Sequence, residues 1–157
     1  MTSTAPDPPA PWYAAYPEPR NSQPAAIRRE ELVKMIRGGE SVAGKNFIIV
    51  DLRRNDYRGG TIRGSINLPA QTLHPGIPTL YSMFKAAGIH TVIWYCSSSR
   101  GRGARAAGWF SDYADDRGDS DMHSLILLEG INGWATAGGE FVSFMDEYDA
   151  TVWVARS

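Results

Sequence analysis

The chain holds one cysteine, Cys96, among 157 residues. A single thiol excludes an internal disulfide and any Cys-rich metal cluster. It also excludes a resolving thiol within the chain, so an intermediate formed on Cys96 must be released by water or by an outside thiol. Long apolar runs are missing too. None approaches the ~20 residues a transmembrane helix needs, and the N-terminus lacks the charged-then-apolar pattern of a secretion signal. The expected location is the cytoplasm or the nucleus. Net charge is almost absent, at −1, so composition points to neither nucleic acid nor a membrane surface as partner. The three histidines, His74, His90 and His123, show no metal-ligand spacing; no metal and no bound cofactor are expected. Lysine is scarce: thirteen of the sixteen basic residues are arginine, and seven of those lie between Arg53 and Arg105. Arginine is the better residue for planar or tetrahedral oxyanions.

What is present is an ordinary globular composition, 43% hydrophobic and 21% charged, which rules out wholesale disorder. The length suits one domain. Residues 1–23 read as a Pro/Ala-rich arm, partly extended. Trp12, Tyr13 and Tyr16 are unusual in a pure linker and suggest that the arm is pinned to the domain. Residues 24–157 read as a single domain.

The chain is organised around Tyr95-Cys96-Ser97-Ser98-Ser99-Arg100-Gly101-Arg102-Gly103-Ala104-Arg105. His90 to Tyr95 is β-branched and aromatic, a strand. Ala106-Ala107, Trp109-Phe110 and Tyr113-Ala114 recur at helical spacing. Cys96 therefore ends a strand, and a Ser/Gly/Arg loop leads into a helix N-terminus. That geometry suits an anion, because helix N-termini present unpaired N–H groups and partial positive charge. Gly101 and Gly103 let the backbone curl so that successive amides turn inward, and Arg102 adds a bidentate fork. The same field favours an anionic sulfur at Cys96. Ser97, Ser98, Ser99 and Arg100 complete the candidate oxyanion-binding loop, with Cys96 and Arg102 as the candidate catalytic pair. Ser98 or Ser99 is a candidate hydrogen-bonding helper to the sulfur.

Cys96, five residues, then Arg102 resembles the Cys-x5-Arg loop of cysteine-based phosphatases. Arg102-Gly103-x-Arg105 continues it as in the rhodanese-fold branch that holds the cell-division-cycle dual-specificity phosphatases and the yeast-type arsenate reductases. Two further segments resemble that fold. Asn46 to Arg53 is the clearest strand, ending in Asp51 and Arg53. It is followed by Gly60-Thr61-Ile62-Arg63-Gly64-Ser65-Ile66-Asn67-Leu68-Pro69, similar to the rhodanese opening pattern. Leu128-Glu129-Gly130-Ile131-Asn132-Gly133-Trp134 resembles the closing pattern with one glycine missing or moved. The resemblance covers roughly Ala26 to Tyr148.

It implies an α/β rhodanese-like domain, a central parallel sheet with helices on both faces. It also implies a protein-tyrosine or aryl phosphatase and arsenate reductase, in which the Cys96 thiolate attacks phosphorus or arsenic in a small oxyanion or a phosphoprotein. For arsenate, glutathione and glutaredoxin are the implied external reductant. The sulfurtransferases of the fold resemble a loop one residue shorter, which sets the alternative of a thiosulfate-type sulfurtransferase against this chain. A non-catalytic regulatory domain is the second alternative, opposed by the presence of Cys96 and Arg102. Two departures bear on mechanism. Gly101 stands where the cell-cycle phosphatases carry a loop Glu, so the loop offers no general acid; Asp51, Asp56 and Glu129 are the remaining candidates. Tyr95 stands where both branches usually carry His, which helps order the loop.

Along the rest of the chain, Asp51 is expected to be a structural ion-pair partner, with Arg53 and Tyr95 as support near the site. Ala26-Ile27 reads as a short strand and Arg28 to Arg37 as a helix stopped by Gly38-Gly39. Ile62 and Ile66 are expected in the core, and His74 in an exposed turn. A helix is expected from Thr79 to Ala87 with Leu80, Met83, Phe84 and Ala87 on one face. Ser124 to Leu128 reads as a buried strand, and Glu140 to Tyr148 as a last helix with Phe141, Phe144, Met145 and Tyr148 inward. Thr151 to Val154 is expected to pack back on the domain.

Overall fold

The computed structural model describes residues 8–39 and 43–154. The elements run β1 (Ala26–Ile27), α1 (Arg29–Gly38), β2 (Phe47–Asp51), β3 (Thr61–Ile62), β4 (Ser65–Asn67) and α2 (Ile77–Ala86). They continue with β5 (Thr91–Tyr95), α3 (Arg102–Asp116), β6 (His123–Leu127), α4 (Gly130–Ala135), α5 (Gly139–Val142), β7 (Met145–Asp146) and α6 (Ala150–Trp153). Five strands form one sheet in the order β1-β6-β5-β2-β4, and every pair in it is parallel. This is the α/β architecture expected. The central position of β2 and β5 explains their continuous apolar sequences, since both faces of a parallel sheet are covered. All five residues of β2 are buried.

Alternation along the strands splits the core in two. Val50, Trp94 and Cys96 face α2 and α3, packing with Phe84, Ala107 and Phe110. Ile49, Ile93 and Tyr95 face α1 and the C-terminal elements, packing with Leu32, Ile131 and Trp134. Register places Asp51 beside Tyr95, and Leu52 N–H donates to the Tyr95 carbonyl at 2.8 Å. The ends of β2 and β5 therefore open at one edge, where sites lie in such sheets.

The aromatic arm is pinned as its composition suggested. A 3₁₀ turn at Trp12–Ala15 sets Trp12 and Tyr16 edge-on to Trp109, with centroids 6.1 and 5.7 Å away. Trp109 Nε1 donates to the Pro17 carbonyl at 2.8 Å. Arg20 pairs with Asp116 at 2.7 Å, and its amide donates to Asp112. Gly108 permits the approach: a Cβ there would lie 2.6 Å from Pro19. At the far end, α6 closes back on the domain through Trp153, whose Nε1 donates to the Gly59 carbonyl at 2.8 Å.

Several local expectations are corrected. His74 is half-buried rather than exposed, tilted against Tyr16 and edge-on to Trp109, with centroids 5.0 and 4.9 Å away. Met83 points to solvent, and Ile66, on the edge strand β4, is partly exposed. The strand β6 is mostly half-buried, and Leu128 just beyond it is exposed. The expected last helix is only the four-residue α5. Met145-Asp146 instead pairs antiparallel with β3, and Tyr148 is exposed. No helix among the described residues is long and apolar enough to cross a membrane.

Candidate active site

Cys96 follows the last residue of β5 and is 2% exposed. The loop behind it turns through Ser99, which takes a left-handed φ of 64°. That turn aims the Ser99 N–H at the Cys96 sulfur, 3.2 Å away. Gly103 sits against the same turn, where a Cβ would lie 3.1 Å from Ser99 and 3.8 Å from the sulfur. Ser99 Oγ is buried and has no hydrogen-bond partner among the described residues. The 15-residue α3 starts at Arg102, so its N-terminal dipole faces the sulfur.

From the other side, α4 clamps the loop backbone. Ile131 and Asn132 N–H donate to the carbonyls of Cys96 and Ser97, each at 3.0 Å. Gly130, at φ 57°, makes this approach possible, since a Cβ there would lie 2.6 Å from the Ser97 carbonyl oxygen. The irregular closing motif thus keeps the one glycine the loop needs. Glu129 turns outward and pairs with Arg29.

The Arg102 guanidinium is already engaged. Its two terminal nitrogens grip the Asp56 carboxylate at 2.8 and 2.5 Å, and Ser97 Oγ donates to the same carboxylate at 2.6 Å. The Arg102 hydrogen bond holds the Asp56 carboxyl well below the usual carboxylate range; burial opposes this, and the Ser97 bond adds to it. Arg102 is in turn held above its ordinary value, first by Asp56 and further by its proximity to the Cys96 sulfur. Asp56 therefore rests ionised and has no proton to give, which argues against it as general acid in the resting site.

Asp56 is positioned by a buried network. Arg53, 1% exposed, forks onto Asp51, also buried, at 2.8 Å. It donates as well to the carbonyls of Arg58 and Gly60 at 3.0 and 2.7 Å. The turn that carries Asp56 is thereby wrapped around Arg53. Burial works to lower the Arg53 value, but the hydrogen bond and charge of Asp51 outweigh it. Asp51 is buried in its pair with Arg53 and is not presented to the cleft. Thr61 Oγ1 bridges Asp51 and the Tyr95 hydroxyl at 2.9 and 2.7 Å. That hydroxyl also accepts from Ile62 N–H at 3.1 Å. Burial, with the nearby Asp51 charge, pushes the Tyr95 phenol up. Tyr95 faces away from the sulfur, into the opposite half of the core, and its hydroxyl ties β5 to β3 and β4.

Cys96 opens into a cleft of about 420 Å³ whose walls include Trp12, Tyr13, Gln71, Arg102 and Arg105. Gln71 Oε1 is buried without a partner among the described residues. The larger groove of about 1280 Å³ on the other side of the loop takes the exposed Arg100 with Arg28 and Arg29, and Cys96 does not line it. Of the candidate residues, the structure thus gathers Cys96, Ser98, Gly101 and Arg102 at one cleft. It places Ser99 and Gly103 behind the sulfur. Ser97 is tied to Asp56 and Arg100 is turned away. Nothing in the residue pattern marked Asp56 as the partner of Arg102, or Gln71 and the arm as walls of the cleft. Only the aromatics of the arm carried a signal.

The rhodanese-like domain model matches residues 28–137. The chain is 30% identical over 99 residues to arsenical-resistance protein 2 of Saccharomyces cerevisiae, covering 59% of this chain and 76% of that one. It is 29% identical over 115 residues to arsenate reductase 2.2 of Oryza sativa subsp. japonica, covering 71% and 82%. The solved structure of a yeast protein tyrosine phosphatase of the rhodanese family superposes with a TM-score of 0.69 at 24% identity, over 82% of this chain and 96% of that one.

Proposed function

The chain belongs to the rhodanese-like domain family, and we propose that it is a cysteine-dependent oxyanion enzyme that reduces arsenate and hydrolyses aryl phosphates. One observation carries this reading. The lone thiol lies under a backbone N–H at the base of a loop whose arginine already grips a two-oxygen anion, the Asp56 carboxylate, in bidentate fashion. A tetrahedral oxyanion offers Arg102 the same pair of oxygens. The similarity to an arsenical-resistance protein and an arsenate reductase supports arsenate as one such anion.

On an aryl phosphate, the Cys96 thiolate attacks phosphorus, the S–P bond forms and the P–O(aryl) bond breaks. Water then cleaves the S–P bond. The loop amides and Arg102 hold the charge that develops on the non-bridging oxygens. With Gly101 in the loop and Asp56 ionised, the leaving oxygen departs without a proton, which phenols tolerate and alkyl alcohols do not. On arsenate, the thiolate displaces one oxygen ligand, which leaves as hydroxide and takes a proton from solvent, and an S–As bond forms. Reduction of As(V) to As(III) takes two electrons, supplied as two thiols join in a disulfide. Glutathione thiolate attacks the Cys96 sulfur, because the chain has one cysteine; the S–S bond forms, the S–As bond breaks, and arsenic keeps the electron pair and leaves as arsenite. Glutaredoxin would then release Cys96 from the mixed disulfide, which fits a reducing compartment such as the cytoplasm or nucleus.

The test is hydrolysis of p-nitrophenyl phosphate, and glutathione-linked reduction of arsenate, by wild type beside Cys96→Ser. Both activities are expected in the wild type and neither in the variant. A variant as active as wild type in both assays would overturn the reading.

A further inference from the structure

The N-terminal arm lies outside residues 28–137 matched by the family model, yet it forms part of the cleft above Cys96. Trp12 and Tyr13 line that cleft together with Arg102 and Arg105. Their rings stand edge to face, 5.5 Å apart at 85°. Tyr13 lies 3.8 Å from the Arg105 guanidinium carbon, and Arg105 is tied back to the arm by Glu18 at 3.0 Å. Trp12 is braced behind by Trp109. Both rings are half-buried, so each keeps an open part. The wall is therefore aromatic, held from several sides, and next to the nucleophile.

We propose that this arm is a specificity wall: Trp12 and Tyr13 receive the flat aromatic group of an aryl oxyanion monoester while the oxyanion sits on the Cys96–Arg102 loop. The proposal rests on the oxyanion reading of the same cleft. A volume of about 420 Å³ falls in the range of small-molecule sites and exceeds what a bare tetrahedral anion fills. Aromatic rings favour an aromatic partner in offset or edge-to-face contact. The absent general acid decides which esters react; the arm decides which esters bind.

The experiment measures binding without turnover. Cys96 is the only cysteine, so alkylation by iodoacetamide, followed by intact mass, reports on the cleft alone. Phenylphosphonate and methylphosphonate carry the same anion and differ only in the ring. The wild type is expected to be half-protected at a phenylphosphonate concentration roughly three- to tenfold below that of methylphosphonate, the size of one or two aromatic contacts. In a Trp12→Leu/Tyr13→Leu double variant that ratio is expected to fall to about one, while methylphosphonate protection holds. Trp12→Phe/Tyr13→Phe, which keeps the rings, is expected to retain it. Equal protection by both ligands in wild type, or an unchanged ratio in the leucine variant, overturns the wall and leaves the oxyanion reading standing. Protection by neither ligand overturns both.

Discussion

Replacing Asp56 by asparagine removes the anion that Arg102 grips and leaves its shape. In the resting site an incoming oxyanion must displace this carboxylate, so the strength of the pair sets a penalty on binding. The two side chains are 21% and 36% exposed, and exposed ion pairs are worth about 0.2–1 kcal/mol. The bidentate geometry and the Ser97 bond place this one near the upper end, about 1 kcal/mol. Asp56→Asn is therefore expected to tighten oxyanion binding by roughly fivefold, at about 1.4 kcal/mol per factor of ten. The assay is protection of Cys96 from iodoacetamide by arsenate or vanadate at fixed ionic strength. The pH dependence has a definite sign. A carboxyl held below its ordinary value stabilises the pair above the unfolded value of about 3.9, and the contribution is lost as pH falls further. Asp56 is such a group, so the gap between wild type and variant stays constant from about pH 5 to about pH 8. Weaker oxyanion binding by the variant would refute the competition. A loss of turnover of about a hundredfold or more, with the basic limb of the pH profile gone, would instead make Asp56 the general acid.

Other perturbations separate the site from its scaffold. Tyr95→Phe leaves the buried Ile62 N–H without its acceptor, at a cost of about 1–3 kcal/mol; the thermal midpoint should drop by roughly 2–4 °C per kcal/mol while aryl-phosphate hydrolysis persists. Hydrolysis lost with the midpoint intact would show that the phenol acts on the sulfur. Gly130→Ala drives a Cβ into the Cys96 and Ser97 carbonyls at a positive φ, so the loop must move and catalytic efficiency should fall by about a hundredfold; unchanged kinetics would contradict the clamp by α4. Lys85 and Tyr81 hold Asp119 down to about 2. Asp119→Asn should therefore lower the denaturation midpoint at neutral pH, with the difference closing as pH falls from about 4 toward about 2; a difference that persists at the acid end would count against the ion pair.

Four of the five strands of the sheet were legible because their signals are local; the edge strand β4, three residues long, was not. A strand buried on both faces writes a continuous apolar run, as at Phe47 to Val50, and a strand-loop-helix junction writes its Ser, Gly and Arg residues in order. The C-terminal segment was not legible for the opposite reason. Phe141, Phe144 and Met145 have helical spacing, but Arg63 N–H reaches the Phe144 carbonyl at 2.8 Å and β3 takes Met145 as a strand partner. That edge lies some eighty residues away in sequence, and no window around Met145 contains it. Glu147, at φ 59°, marks where the chain turns out of the strand, a backbone state that glutamate does not advertise.

The site divides along the same line. Cys96 and Arg102 were legible because consecutive positions build the loop, whereas the partner of Arg102 comes from a turn 46 residues earlier. What sets that turn is Arg53, which is buried at the expense of its own hydration and is satisfied only if the chain from Asp56 to Gly60 wraps its carbonyls around it. A buried guanidinium left with unpaired donors would be far costlier than the wrap. The opening motif that looks architectural therefore has a consequence at the nucleophile. The Asp51–Arg53 pair fixes the turn, the turn fixes Asp56, and Asp56 fixes where the Arg102 fork rests before an anion arrives. Removing Arg53 should thus loosen Arg102 as well as the fold, although the two side chains belong to different elements and nothing in their spacing connects them.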